Sequence, residues 1–214
     1  MEFMYCIDSK ADEPIMLINS WIGWDKEMGY GIMGDRFLRE LLMLDTMDKK
    51  RIQVWINSPG GSVSDGYDIY QAMIATKTKV DTYCYGIAAS IAGVLFEGGR
   101  NRYMYKHANL MFHNAYGIEN DKAIDSINAS IAQIISERTN KDIKEIENVM
   151  AQTTWINSID AETYGFCDKV IPTGTLNVNS NRIQTDKIEV YNLVKEYNEI
   201  YDSILKPKKE KQNG

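Results

Sequence analysis

The chain has 214 residues, of which 44% are hydrophobic and 25% are charged. This composition is typical of a folded globular protein and excludes disordered, collagen-like and coiled-coil chains. The net charge of −6 disfavours a nucleic-acid partner, and the longest nearly apolar run, Ile87–Phe96, is too short for a membrane helix, which needs about 20 residues.

The cysteines and the first eight residues bear on disulfides, zinc binding and secretion. Cys6, Cys84 and Cys167 are widely spaced and form no Cys-x-x-Cys pair, which disfavours a disulfide framework and a zinc site. Residues 1–8 contain no basic leader and no long apolar stretch, so no secretory signal is visible. We therefore predict a cytoplasmic protein.

Strands and helices alternate in the first part of the chain. Apolar residues at helical spacing predict an amphipathic helix over Asp35–Leu44, and the β-branched and aromatic run Val54–Ile56 predicts a buried strand. A turn rich in glycine leads into a second helix with its apolar residues in Tyr67–Ile74. Ser64 or Asp65 is the expected cap of that helix.

The same alternation continues along the chain. A strand is predicted from Val80 and is interrupted at Gly86, before an apolar helix over Ala88–Phe96. Another strand, Leu110–His113, precedes a long helix with isoleucines along one side in Ile124–Ile135. This order predicts an α/β fold with a mainly parallel sheet, whose loops meet beyond the carboxyl ends of the strands.

The sequence divides into three predicted parts. The main domain, 1–171, closes with a short helix at Asp160–Gly165 and a final strand. Residues 172–205 form a connection and an amphipathic helix, 186–205. Residues 206–214 are charged and lack apolar anchors, which is typical of a disordered tail.

Ser90 is the first candidate for a catalytic residue. It follows a strand and begins an apolar helix, where the helix dipole and free N–H groups favour a nucleophile and a developing oxyanion. From these residues alone, capping the helix is the commoner role of such a serine. A catalytic serine needs a base, and His113 at a strand end is a better candidate than His107 in a polar stretch.

The turn Asn57–Ser62 is the second candidate for chemistry. Pro59 stiffens it, and its two glycines let the backbone come close to a substrate carbonyl. The amides of Gly60 or Gly61, together with the amide of Ile91, would then form an oxyanion hole. The alternative is a plain strand-to-helix turn, and the lysine of a phosphate-binding loop is missing.

Ordered blocks of the sequence resemble the signatures of the Clp protease proteolytic subunit family. They are Asn57–Val63, Gly86–Ser90 and Met111–Asn114, and Ser158–Asp168 resembles a later block of that family. The similarity extends over Ile15–Ile171. It implies a ClpP/crotonase-like fold with a mainly parallel sheet, flanking helices and a protruding helix.

The resemblance also implies catalytic roles at the matching positions. Ser90 would be the nucleophile and His113 the general base and then the acid, while the amides of Gly61 and Ile91 would hold the oxyanion. The acidic third member of the family's triad falls at Thr153. Threonine carries no charge that could stabilise an imidazolium.

This departure leaves three interpretations open. A nearby acid such as Asp160 takes the role, the serine and histidine act as a dyad with Thr153 orienting the ring, or catalysis has been lost. We favour a weakened dyad, because an amide in place of the triad carboxylate of a known serine protease lowers turnover by about 10⁴ while the geometry stays intact.

The resemblance further implies partners. Family members form heptameric rings, often stacked in pairs, in which a helix at the position of Ile124–Ile135 contacts the opposite ring. From its periodicity alone, that helix would more commonly pack on its own core. An ATP-driven AAA+ unfoldase is a further partner suggested by the family, and the sequence leaves its docking open.

Some features of the sequence resemble one branch of the family in particular. Ile22–Asp25, the pair Thr154-Trp155 and the absence of a long N-terminal extension are more similar to the phage-type branch, whose members are associated with capsid maturation. The sequence thus predicts a serine endopeptidase that cleaves unfolded or scaffold-like polypeptides without a metal or organic cofactor.

Two other functions remain in competition. A catalytically silent ring protein with a structural role is one, because Thr153 replaces the acid. An acyl-CoA enzyme of crotonase type is the other, because a shared fold does not dictate function. The Ser90 and His113 pair has no obvious use in that second chemistry.

Overall fold

The computed structural model describes residues 3–117 and 120–172, and the predicted helix 186–205 and tail 206–214 lie outside them. The strands are β1 (Ile15–Ile18), β2 (Ile52–Ser58), β3 (Val80–Ala89), β4 (Arg102–Tyr105), β5 (Asn109–Phe112), β6 (Thr154–Asn157) and β7 (Lys169–Ile171). The helices are α1 (Gly34–Asp45), α2 (Val63–Ala75), α3 (Ile91–Glu97), α4 (Asp121–Thr139), α5 (Ile143–Ala151) and α6 (Ser158–Thr163).

Strand β3 is the centre of the sheet because it pairs with different strands along its length. The main path is β1-β2-β3-β4-β7, and every pairing along it is parallel. The first half of β3 lies beside β4, whereas Ile87–Ala89 at its end pair in parallel with Asn109–Met111 of β5. Strand β6 then pairs antiparallel with β5. The predicted α/β class with a mainly parallel sheet is confirmed.

The two faces of the sheet differ in burial. Along β2 the residues alternate, with Val54 and Ile56 in the core and Trp55 only partly buried, as expected for strands with one covered face. Helices α1, α2 and α3 contribute Phe37, Ile69 and other buried side chains to the core. The opposite face carries a row of stacked rings, which are Trp55, Tyr83 and Tyr103.

Several predicted element boundaries were wrong. Helix α2 is capped by Ser62, whose hydroxyl accepts from the Asp65 amide, rather than by Ser64 or Asp65. Strand β3 is not broken at Gly86 but runs on to Ala89, because pairing with β5 supplies hydrogen-bond partners to its last residues. Helix α3 consequently begins only after Ser90.

Four elements were not predicted. Strands β1, β4 and β6 are short and are stabilised by pairing with distant segments. Helix α5 does show apolar residues at helical spacing, Ile143, Ile146 and Met150, after the capping residue Asp142, so a sequence signal for it was present and was missed. Helix α4 buries Ile131 and Ile135 in its second half, and Ile127 is only partly buried. No helix of the described residues is both long and apolar enough to cross a membrane.

A buried carboxylate lies at the end of α3. Glu97 is fully buried, and its Oε2 accepts from Arg102, which also binds Asp168 through Nη2 at 2.7 Å. Among the described residues, no donor bonds the Glu97 Oε1 atom. Burial raises the pKa of Glu97 to about 7, although Arg102 acts in the opposite direction.

This arrangement predicts a pH-dependent stability. A carboxyl with a raised pKa binds its proton more tightly in the folded state, so its contribution is most favourable below its unfolded pKa of about 4.5 and is lost as the pH rises through 7. We expect the free energy of unfolding to fall between pH 5 and pH 8, and Glu97→Gln to remove about 1–3 kcal/mol of that fall.

Urea denaturation at several pH values measures this slope. Glu147→Gln is the matched control, because Glu147 is exposed and forms no ion pair among the described residues. A wild-type slope in Glu97→Gln would contradict the assignment.

Candidate active site

Ser90 occupies a sharp turn between β3 and α3. Its backbone has φ 57° and ψ −129°, a conformation that residues other than glycine seldom adopt and that costs about 1–3 kcal/mol. The Ser90 amide donates to Met111 O at 2.8 Å, which ties the turn to β5. The Ser90 side chain makes no capping hydrogen bond to α3, so the capping interpretation was wrong.

The Ser90 hydroxyl points instead to a histidine. Its Oγ lies 2.8 Å from Nε2 of His113. His113 directly follows β5, and β5 pairs with the end of β3. The two residues meet because they leave the carboxyl ends of neighbouring parallel strands. His107, by contrast, is exposed in the turn between β4 and β5.

Two free amides lie near the Ser90 turn. Among the described residues, the N–H groups of Gly61 and Ile91 donate to no acceptor. Residue 60 lies against the turn, since a Cβ built on Gly60 would stand 2.7 Å from both Ser90 Cβ and Ala89 O. Side chains larger than hydrogen are therefore excluded there.

The Gly60 amide is not available to a substrate in this structure. It donates to the Ser58 hydroxyl at 3.1 Å. The Gly60 amide is therefore already engaged, whereas an oxyanion donor, as predicted for it, needs a free N–H group. The Ser58 hydroxyl itself donates to Ser20 O at 2.6 Å. These bonds fix the loop so that Gly61, rather than Gly60, presents an unused N–H group.

A segment near the start of the chain also supports this loop. Ile22 N donates to Gly60 O, and Ser62 N donates to Ile22 O, both at 2.8 Å. Ile22 is completely buried. Neither Ser20 nor Ile22 was predicted to support the site, because pairing across almost 40 residues leaves no local pattern in the sequence.

A narrow apolar recess adjoins the Ser90 and His113 pair. Its volume is about 20 Å³. Its walls are formed by Val63, Ile91, Val94, Phe112, Ala115, Ile131 and Met150. The loop after His113 is held in place by the Ala115 amide, which donates to Asn128 Oδ1 at 2.7 Å. The recess can hold the end of a small uncharged side chain.

The register of β5 and β6 places Thr153 opposite His113, but Thr153 does not bind the imidazole. The β5–β6 ladder ends at Phe112 paired with Thr154, so one further step would place His113 opposite Thr153. Within the described part of the chain, no side chain bonds the Nδ1 atom of His113, and Thr153 donates only its amide, to Met150 O. Its φ of 52° is unfavourable for a β-branched residue.

Asp160 does not replace the missing acid. Its Oδ2 accepts from Asn157 Nδ2 at 2.6 Å. Asn157 is paired with Asn109, four residues before His113, which corresponds to about 13 Å along a strand. The structure therefore separates Asp160 from the histidine.

The described residues also contain no group of three or more histidine, cysteine, aspartate or glutamate side chains placed to hold a metal ion. The arrangement at Ser90 can perform acyl transfer with its own groups: a hydroxyl, an imidazole and two amide donors.

Comparisons with known proteins place the chain in a sequence family. A sequence model of the Clp protease family matches residues 16–174. The ATP-dependent Clp protease proteolytic subunit 3, chloroplastic, of Arabidopsis thaliana is 36% identical over 152 residues, which cover 65% of this chain and 49% of that protein. The chain thus spans about half the length of that relative.

Two bacterial relatives show similar identities. The ATP-dependent Clp protease proteolytic subunit 2 of Bacillus licheniformis is 32% identical over 151 residues, covering 65% of this chain and 80% of that protein. The ATP-dependent Clp protease proteolytic subunit of Porphyromonas gingivalis is 33% identical over 144 residues, covering 62% and 65% respectively.

Proposed function

The chain belongs to the Clp protease family, and from this premise we propose that it is a serine endopeptidase that acts on unfolded or scaffold-like polypeptides. The observation that carries the proposal is the 2.8 Å contact between Ser90 Oγ and His113 Nε2. A serine hydroxyl is a weak nucleophile until a base accepts its proton at this distance.

Each step of an acyl-enzyme reaction has a candidate group. His113 takes the proton of Ser90 as the hydroxyl attacks the substrate carbonyl, and the amides of Gly61 and Ile91 stabilise the oxyanion. The protonated imidazole then gives its proton to the leaving amine. Water, deprotonated by His113, attacks the ester, and collapse of the second tetrahedral intermediate returns the proton to Ser90.

The backbone at Ser90 favours an enzyme over a silent ring protein. A serine that served only the fold could cap α3 in a relaxed conformation, which stabilises a helix by about 1 kcal/mol. The Ser90 side chain instead makes no capping hydrogen bond, and its backbone adopts an unfavourable φ. Both features direct its hydroxyl to His113, which a purely structural protein does not need.

We propose that the Ser90 and His113 pair works as a dyad. Thr153 provides neither a charge nor a hydrogen bond to the imidazole, so the imidazolium formed during attack gains little stabilisation. Slow turnover follows from this absence. The acyl-CoA alternative is less favoured, because its chemistry uses neither the nucleophile nor the base.

Several parts of the proposal stay predictions. They are the heptameric ring or stacked rings, the AAA+ unfoldase partner, the role in phage capsid maturation and the cytoplasmic location. Family membership is compatible with the ring, in which the first half of α4 would gain cover for Ile127, which is only partly buried.

A fluorophosphonate probe tests the nucleophile. We expect covalent labelling at Ser90, because the histidine activates that hydroxyl, and intact-mass measurement with peptide mapping locates the adduct. Ser90→Ala should abolish labelling, whereas Ser64→Ala, which alters an exposed serine of α2, should retain it. Folded wild-type protein that stays unlabelled would overturn the peptidase proposal in favour of the silent ring protein.

Restoring the acid tests the dyad. Thr153→Asp is expected to raise kcat/KM on a model peptide about tenfold or more, because a carboxylate can orient and stabilise the imidazolium. Aspartate also tolerates the backbone conformation of residue 153 better than threonine does. Gln152→Asp adds the same charge where the native side chain bonds Asn148 and should leave kcat/KM unchanged. An equal rise in both variants would contradict the dyad.

The recess predicts the preferred residue before the cleaved bond. Peptides with alanine or valine there should be cleaved about tenfold or more faster than those with aspartate or lysine, since the apolar walls cannot solvate a charge. Ile131→Ala enlarges the recess and should shift the preference towards leucine and methionine. Fluorogenic peptide rates measure both effects, and an unaltered preference in the variant would place this subsite elsewhere.

A further inference from the structure

A second cavity lies at the opposite end of β3 from Ser90. Its volume is about 430 Å³, within the usual range of small-molecule sites. It opens where Val80 begins β3, between the end of α2 and the turn that follows α3. Four basic side chains line it, and they are Lys77, Lys79, Arg100 and Arg138.

The positive charge of this cavity is not neutralised by its lining. None of the described residues that line it carries a carboxylate. In the described ranges, the side chains of Lys77, Lys79 and Arg100 form neither an ion pair nor a hydrogen bond. The nearby Asp45 carboxylate accepts from the amides of residues 77 and 78. That carboxylate also interacts electrostatically with Lys77, so Lys79 and Arg100 are the lining cations for which the described residues show no acidic partner, on a chain with net charge −6.

The cavity is held open by fixed contacts. Arg138 donates from Nε to Glu97 O at 2.7 Å and from Nη2 to Gly99 O at 2.6 Å. These bonds join α4 to the turn after α3 and orient one guanidinium at the cavity. A ligand therefore meets a formed site and need not order the loop first.

The remaining walls are apolar. They are provided by Tyr70, Met73, Ile74 and Val80. Tyr70 and Met73 belong to the core and are buried, so this wall is rigid, whereas Ile74 is about half exposed. A ligand that matches both walls has negative groups at one end and an organic body at the other.

We propose that this cavity binds a small organic anion with at least two negative charges, as a phosphate ester or a polycarboxylate. Guanidinium and ammonium groups bind both kinds of oxygen anion. The apolar wall distinguishes such a ligand from inorganic phosphate or pyrophosphate, which would leave that wall uncovered. The proposal does not depend on peptidase activity, since it concerns binding alone.

Isothermal titration calorimetry at fixed ionic strength tests the site with three probes: ATP without metal, citrate and inorganic pyrophosphate. Binding of ATP or citrate at least tenfold tighter than pyrophosphate is the expected result. ATP alone identifies a phosphate ester, and citrate alone identifies a polycarboxylate. The proposal fails if neither organic probe binds, or if pyrophosphate binds equally well.

A pair of double variants localises the binding. Lys77→Ala with Lys79→Ala should weaken the affinity at least tenfold. Lys10→Ala with Lys26→Ala removes the same charge from exposed lysines outside the cavity and should leave the affinity unchanged. Thermal unfolding checks that both variants fold. Equal weakening in the two variants would mean attraction to the whole surface and would overturn the site.

Discussion

The parallel pairing of the end of β3 with β5 is the constraint on which the site depends. Three paired residues, Ile87–Ala89 with Asn109–Met111, align the two strand ends. Ser90 directly follows Ala89 and His113 follows the end of β5, and their side chains come within 2.8 Å of each other although the two residues are 23 positions apart in the chain. This pairing with β5 is possible only because β3 extends beyond the residues that pair with β4. A shorter β3 would leave the serine without a base.

The loops around Ser90 show how backbone interactions make the site rigid. Ile22 bonds to both sides of Gly61 and thereby leaves the Gly61 amide free, while Ser58 occupies the Gly60 amide. Ser90 retains a costly conformation because Met111, Gly60 and His113 surround it on three sides. Such strain persists where neighbouring structure determines it, and it is common at functional sites.

Helix α3 connects this site with the charges at the other end of the fold. Its seven residues span about 10 Å, from Ile91, which directly follows Ser90, to Glu97. Arg138 binds carbonyls at that end, and Arg102 binds the Glu97 carboxylate. A cation at a helix carboxyl terminus is favourable. The position of the nucleophile thus rests on a buried helix fixed by hydrogen bonds at both ends.

The sequence by itself determined the α/β class, the order of the main helices and strands, and the serine, histidine and glycine-rich turn, because periodicity and residue chemistry are local properties. It could not determine that β3 continues to Ala89, that Ser20 and Ile22 fix the turn, or that the Gly60 amide is taken, since these depend on pairings between distant segments. Only the tertiary structure decided that Ser90 faces His113 and that Thr153 and Asp160 do not bind the imidazole. The physical reason is that a hydrogen bond weakens when its donor and acceptor move by a few tenths of an ångström, and the packing of the whole domain sets those positions.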